Sequence, residues 1–287
     1  MITTTEAVEA AVAVARELGL AVREPVLLHD SFNIRVHLSP APVVARVQTV
    51  TSLARADPLG AMTREIAVVT YLEGIGFPVV PVSPLLPPGP HVWNGIPVTF
   101  WAKADELPDA GEPTPEMMGK TLADLHAALA GFPGELPRLT PALEEPGRLL
   151  DVLAGHNAFD REALAELREA HARLDAELTG PSKVVHGDAH PGNVLATPDG
   201  LLWNDFEEAC AGPLGWDLAC LALSGRIDGA KAVRAYGADL DEIAPWIAAR
   251  RLQGVIWTTA AATRFPHRAE QAARMLAEWR AAQTMCC

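Results

Sequence analysis

Apolar residues recur at two different periods along this chain. Near the start, Val8, Val12, Ala15 and Leu18 lie at helical spacing behind Thr3 and Glu6, a capping-box pair, and Gly19 offers a stop, which predicts an N-terminal helix. Pro25 to His29, Phe32 to Leu38 and Val43 to Val47 are short apolar or alternating runs, which predict strands of an antiparallel sheet. Met62, Ile66, Val69 and Leu72 return to one helical face, with Glu65 on the same helix and Gly74 and Gly76 at its end. Seven prolines between residues 78 and 97 exclude a long helix and suit edge strands and turns, after which Ile96 to Lys103 forms an apolar strand.

Beyond that strand the helical period takes over. Thr114-Pro115-Glu116 starts a helix whose buried face is Met118, Leu122, Leu125 and Leu129. Further helices are expected over about Asp160 to Leu178, Leu218 to Leu223, Ala230 to Tyr236, Ile243 to Thr263 and Ala269 to Ala282, with Trp246, Trp257 and Trp279 as packing residues. Residues 131–147 carry four prolines and three glycines and are expected to form a loop-rich insertion.

One polar loop interrupts these runs. Val184 and Val185 precede His186-Gly187-Asp188-Ala189-His190-Pro191-Gly192-Asn193, and the apolar run Leu201-Leu202-Trp203 ends at Asn204-Asp205-Phe206. Asp188, Asn193 and Asp205, five and then twelve residues apart, thus emerge from strand ends close together. A kinase-type site uses an Asp to orient and deprotonate the attacking hydroxyl, and an Asn and a second Asp to hold Mg²⁺ against phosphates, at this spacing. Gly187 and Gly192 permit tight turns and Pro191 fixes φ between them, so the loop is expected to be rigid. Other roles suit the same residues. His186, Asp188 and His190 at alternate positions can ligate zinc, although the next histidine is His267, and Asp205 and Asp217 can serve as turn or cap residues.

His186-Gly187-Asp188, Asn193, Asp205-Phe206, Gly212-Pro213 and Trp216-Asp217-Leu218-Ala219, in that order, resemble the catalytic segment of the aminoglycoside phosphotransferases and their choline-kinase-like relatives. The resemblance implies an α+β, bilobal protein-kinase-like fold. Residues 1–104 would form a small N-terminal lobe with an antiparallel sheet and a helix, and residues 105–287 a larger, mainly helical lobe. It also implies ATP or GTP and Mg²⁺ as cofactors, a small-molecule hydroxyl as acceptor, Asp188 as the base, Asn193 and Asp205 as metal ligands, and His186 and Asp217 as supports of the loop. Nucleotide contacts are implied for Ser31 and Asn33 in a phosphate-covering turn, and for Arg46, where protein kinases carry a strand lysine, with Glu65 as its partner. Phe100, Trp101 and Ala102 would form the hinge that reads the base. Two departures matter: the turn from Leu28 to Asn33 has no glycine, and Arg46 replaces lysine while keeping its charge and offering a planar fork. A plain hairpin turn and a solvated strand arginine would suit these residues too.

Charge narrows the partners. With 23 basic and 36 acidic residues the formal charge is −13, which argues against nucleic-acid binding through a basic face. No uncharged apolar stretch is long enough to cross a bilayer, and Met1 to Glu6 lacks the basic and apolar segments of a secretory signal, so a cytoplasmic protein is expected. Cys210, Cys220, Cys286 and Cys287 include no Cys-x-x-Cys pair. The family resemblance, the charge of −13, and Glu144, Glu145, Asp151, Asp160, Glu207 and Glu208 flanking the catalytic segment together make a hydroxylated cationic acceptor, an aminoglycoside-like antibiotic, the leading expectation. The alternatives are a kinase of choline, an amino alcohol or a sugar, and a nucleotide-binding regulatory module without transfer activity.

Overall fold

The computed structural model describes residues 2–107 and 109–284, so Cys286 and Cys287 lie outside the described residues. Thr3 and Glu6 exchange side-chain-to-backbone hydrogen bonds and open α1 (Thr4–Glu17). β1 (Glu24–Asp30), β2 (Asn33–Ser39), β3 (Val43–Gln48), β4 (His91–Trp93) and β5 (Ile96–Ala102) form an antiparallel sheet in the order β1-β2-β3-β5-β4. Because side chains alternate along a strand, Ile34, Val36, Leu38, Val43, Ala45, Val47, Val98 and Phe100 all face one way. They are buried against Ala7, Ala10, Ala11 and Val14 of α1, whose small side chains let the helix seat closely on the sheet. The opposite face carries Arg35, Arg46 and Thr99 side by side across β2, β3 and β5.

After β3 come α2 (Thr51–Ala54) and α3 (Pro58–Gly74), the latter capped by Asp57 with Pro58 in its first turn. Val68, Val69 and Leu72 of α3 belong to the larger of two cores, where Trp203, Phe206 and Trp216 are fully buried. α4 (Pro115–Leu129), α5 (Thr140–Leu143), α6 (Glu145–Gly155) and α7 (Arg161–Glu177) lead to β6 (Lys183–Val185). The hairpin of β7 (Val194–Thr197) and β8 (Gly200–Trp203) follows, then β9 (Cys210–Gly212), paired with β6, and α8 (Gly215–Ala222), α9 (Gly229–Tyr236), α10 (Ala244–Arg264) and α11 (Ala269–Thr284). The molecule is therefore α+β, with an antiparallel sheet and one helix on the N-terminal side and a mainly helical remainder. Among the described residues no helix is long and apolar enough to cross a membrane.

The loop-rich insertion expected over residues 131–147 is a correction. Pro141 and Pro146 fall in the first turns of α5 and α6, where the missing N–H costs nothing and the fixed φ favours the helix, so two of the residues that looked like breakers are starters.

α4 and α9 cross at Gly119. A Cβ there would stand 2.4 Å from the Ala232 carbonyl oxygen and 2.7 Å from the Tyr236 nitrogen, both backbone atoms. Gly→Ala inside a helix ordinarily stabilises by about 1 kcal/mol, but overpacking against backbone costs about 1–3 kcal/mol. Gly119→Ala is therefore expected to lower the melting temperature; a rise in thermal unfolding would show that the two helices can part freely.

Candidate active site

The loop from His186 to Asn193 is fixed from below by Asp217. That carboxylate, fully buried near the start of α8, accepts the backbone N–H of His186 and of Gly187, each at 2.8 Å, and a third bond from His126 Nε2 at 3.0 Å. His126 in turn meets the Tyr236 hydroxyl through Nδ1 at 2.9 Å, so α4, α8 and α9 share one polar network. Gly187 has φ +89°, and a Cβ on it would sit 2.0 Å from the Glu208 carbonyl oxygen, so only glycine fits. Trp216 Nε1 donates to its carbonyl at 2.7 Å. His186 is wholly buried, with Nε2 against the Asn204 carbonyl at 3.1 Å, and burial holds its pKa below the usual histidine value, so it is neutral.

Above this support stands Asp188. Asn193 Nδ2 donates both to its carbonyl at 2.9 Å and to Oδ2 at 3.1 Å, which leaves Asn193 Oδ1 as the atom able to face a cation. His190 Nε2 lies 3.2 Å from Oδ2, and the Arg250 guanidinium of α10 binds Oδ1 while lying 5.7 Å over the Trp216 ring. Burial alone would raise the Asp188 pKa, but Arg250 and then His190 outweigh it and hold the carboxyl far below the ordinary range. Arg250 was not singled out from the sequence. It lies 62 residues from Asp188 in a helix whose neighbour Arg251 is exposed, and no local signal distinguishes the two.

Asp205 ends the β7–β8 hairpin in the left-handed region, φ 64°, a conformation uncommon outside glycine and a mark of a constrained site. Arg46 Nη1 donates to Oδ1 at 2.8 Å and Arg35 Nη2 to Oδ2 at 2.6 Å, so arginines from adjacent strands grip one carboxylate. Arg46 also forms an ion pair with Glu65 on α3 and lies 5.1 Å over the Trp101 ring. Burial would raise the Asp205 pKa; Arg46 and Arg35 reverse that and lower it. Arg35 is a second residue the sequence reading passed over, although strand alternation places it cross-strand from Arg46.

Two cavities meet at Asp205. One, of about 630 Å³, is lined by Arg46, Glu65, Trp101, Ala102 and Lys103. The other, of about 490 Å³, is lined by Asp188, His190, Asn193 and Arg250. Ser31 and Asn33 border the second and not the first. The Asn33 amide donates to Glu207 at 2.9 Å and accepts from Thr51 at 2.8 Å, and the Ser31 hydroxyl meets His29 Nε2 at 2.9 Å. Phe100 does not reach either cavity, because strand alternation turns its ring to the α1 face, and its N–H and carbonyl are bonded to Pro88 and Ser83. The N–H groups of Ala102 and Lys103 are also committed, to Pro81 and Pro42, so these donors are not free to read a base.

Acidic lining is sparser than the sequence suggests. Asp151 is paired with Arg168 at the surface, Asp160 caps α7, and Glu144 and Glu145 border a separate recess with Arg55. Glu207 and Glu208 do reach the second cavity, but Glu207 is bound by Arg55, Asn33 and Gln48. Among the described residues no group of three or more His, Cys, Asp or Glu is arranged to hold a metal, and His186 Nε2 faces the Asn204 carbonyl rather than Asp188 and His190.

Residues 23–245 match the phosphotransferase enzyme family. The chain belongs to that family. Solved structures with the same fold include the choline kinase LicA from Streptococcus pneumoniae, 16% identical over 93% of this chain and 98% of that one, TM-score 0.59. An amicoumacin kinase, hAmiN, in complex with AMP-PNP, Ca²⁺ and Ami is 13% identical over 93% and 92%, TM-score 0.67. The GDP complex of aminoglycoside 2'-phosphotransferase-IIIa is 15% identical over 94% and 97%, TM-score 0.59. The fold is thus that of small-molecule kinases, and the chain is a phosphotransferase.

Arg250→Gln removes the main cation on Asp188 and should raise that carboxyl's pKa. With the ionised form of Asp188 as the competent one, a role proposed below, the acid limb of kcat against pH is expected to move upward, with kcat at neutral pH falling on the order of 10²-fold. A pH–rate profile identical to the parent's would show that Arg250 does not govern Asp188.

Proposed function

We propose that this protein transfers the γ-phosphoryl group of ATP, or of GTP, to a hydroxyl of a small molecule, with Mg²⁺ as cofactor. The observation that carries this reading is the junction of the two cavities at Asp205, with the Arg46–Glu65 pair on one side and Asp188 on the other. Asn193 Oδ1 and the Asp205 carboxylate suit Mg²⁺, which is typically held by one or two protein oxygens together with phosphates and water. When bound, the ion would neutralise charge on the transferring phosphate. Arg46 and Arg35, which pair with Asp205, would be placed to meet phosphate oxygens as well.

Asp188 would orient the acceptor. The acceptor O–H bond breaks, its proton passing to the Asp188 carboxylate, its oxygen bonds to the γ-phosphorus, and the bond from that phosphorus to the bridging oxygen breaks to release the nucleoside diphosphate. A carboxyl held as low as that of Asp188 is a weak base, which suits a loose transition state in which the proton leaves late and positioning dominates. We place the activity in the cytoplasm, where the buried free thiols of Cys210 and Cys220 would stay reduced. An aminoglycoside-like antibiotic, choline, an amino alcohol and a sugar are all acceptors of this class; of the six flanking carboxylates, Glu207 and Glu208 border the cavity.

Asp188→Asn should abolish phosphoryl transfer, by about 10²-fold or more, while nucleotide affinity stays within a few-fold, because the residue acts on the acceptor. Nucleoside diphosphate release over a panel of hydroxylated compounds measures this. Undiminished turnover in the variant would remove Asp188 from the reaction.

A further inference from the structure

Every carboxylate on the wall of the acceptor-side cavity is already compensated. Asp188 has Arg250 and His190, Asp205 has Arg46 and Arg35, and Glu207 has Arg55. Glu208 has Arg250 Nη1 at 3.8 Å, and burial, with Asp188 and Glu145 nearby, pushes its carboxyl well up. Arg226, which also lines this cavity, is paired with Glu112 at 2.6 Å.

Arg268 differs from all of these. It lines the same cavity and not the nucleotide-side one, and among the described residues it has no carboxylate partner. Its guanidinium lies 5.5 Å from the ring centroids of both Phe32 and Phe265, so it is oriented by two aromatic faces while its N–H donors are left for something else. Trp257 packs edge-on to the same Phe32 ring at 5.6 Å. It too lines the cavity and is 8% exposed, and its Nε1–H has no hydrogen-bond partner. A buried N–H without an acceptor is costly, and natural structures leave few of them. An uncompensated guanidinium and an orphan indole N–H, both on residues that contact one phenylalanine, in a cavity whose acids are all matched, leave a deficit of one oxygen-rich anion.

We propose that Arg268 and Trp257 anchor a carboxylate of the acceptor, which makes the molecule phosphorylated a small hydroxy acid. The guanidinium fork and the indole N–H supply donors for its two oxygens, and its hydroxyl reaches toward Asp188. This inference rests on the kinase reading for its reaction, but the anion site itself does not depend on turnover.

The test uses the full chain with Mg·ATP and, as probes, glycerate, tartrate, gluconate and 3-hydroxybutyrate, their amides, and choline, kanamycin and glucose. Nucleoside diphosphate release reports transfer, and intrinsic tryptophan fluorescence reports binding independently. The expected result is that at least one hydroxy acid binds and is phosphorylated, with its amide about tenfold or more poorer in kcat/KM. Arg268→Gln should raise the KM of that acid by about 10–100-fold and leave the KM for ATP within about twofold; Trp257→Phe, which keeps the ring against Phe32, should raise the acid's KM less. Binding of a hydroxy acid that depends on Arg268 in a protein that transfers phosphate to nothing would sink the kinase reading and keep the anion site. Transfer confined to cationic or neutral acceptors and indifferent to Arg268→Gln, or failure of every hydroxy acid to bind, would overturn the anion site and leave the kinase reading untouched.

Discussion

Two arginines on neighbouring strands converge on a single carboxylate from the other half of the chain, and much of the architecture follows from keeping them there. Arg46 and Asp205 are largely withdrawn from water, so each would be expensive alone; Glu65 and the Trp101 face complete the surroundings of Arg46. Breaking such a buried pair by deleting one partner costs about 3–5 kcal/mol, whereas exposed pairs such as Lys120–Asp124 are worth well under about 1 kcal/mol. The sheet, α3 and the β7–β8 hairpin are therefore held in one arrangement by a charge cluster whose carboxylate would also serve Mg²⁺. A nucleotide carrying the metal would exchange one set of opposite charges for another without opening the site to water.

Rigidity of the neighbouring loop has a separate source. Asp217 takes two consecutive backbone N–H groups, Gly187 leaves no room for a side chain beside Glu208, and Trp216 and His126 close the remaining sides. Asp188 therefore projects from a platform rather than from a flexible connector, and Arg250 and Asn193 fix its direction. In the reaction proposed for Asp188, positioning of this kind is most of what a loose phosphoryl-transfer transition state asks of a general base.

Much of this is legible in the sequence where the signal is local. An alternating run marks β2, apolar runs mark β3 and β5, the capping box marks α1, and Asp188, Asn193 and Asp205 all reach the wall of one cavity. What escapes is non-local or depends on orientation. Prolines at 141 and 146 start helices instead of breaking them, because only the position within the first turn decides the effect. Phe100 and Trp101 are adjacent in an apolar run, yet strand alternation sends one to the core and the other to the cleft. The six carboxylates flanking the catalytic segment look like a funnel for cations in one dimension; in three, four are spent on surface pairs, a cap and a separate recess. Arg250 and Arg268 meet the site from a helix and the turn after it, with nothing in their own neighbourhood to announce them.

Asp205 is proposed to hold Mg²⁺ beside the nucleotide phosphates. Calorimetric titration of wild type and Asp205→Ala with ATP, in the presence and absence of Mg²⁺, tests it most directly. Wild type should bind Mg·ATP more tightly than ATP alone, and Asp205→Ala should lose about tenfold or more in affinity for Mg·ATP while binding metal-free ATP no worse, since Arg46 and Arg35 are then free for phosphate. Equal affinity of the two proteins for Mg·ATP, or no nucleotide binding by wild type, would remove Asp205 from metal and nucleotide binding.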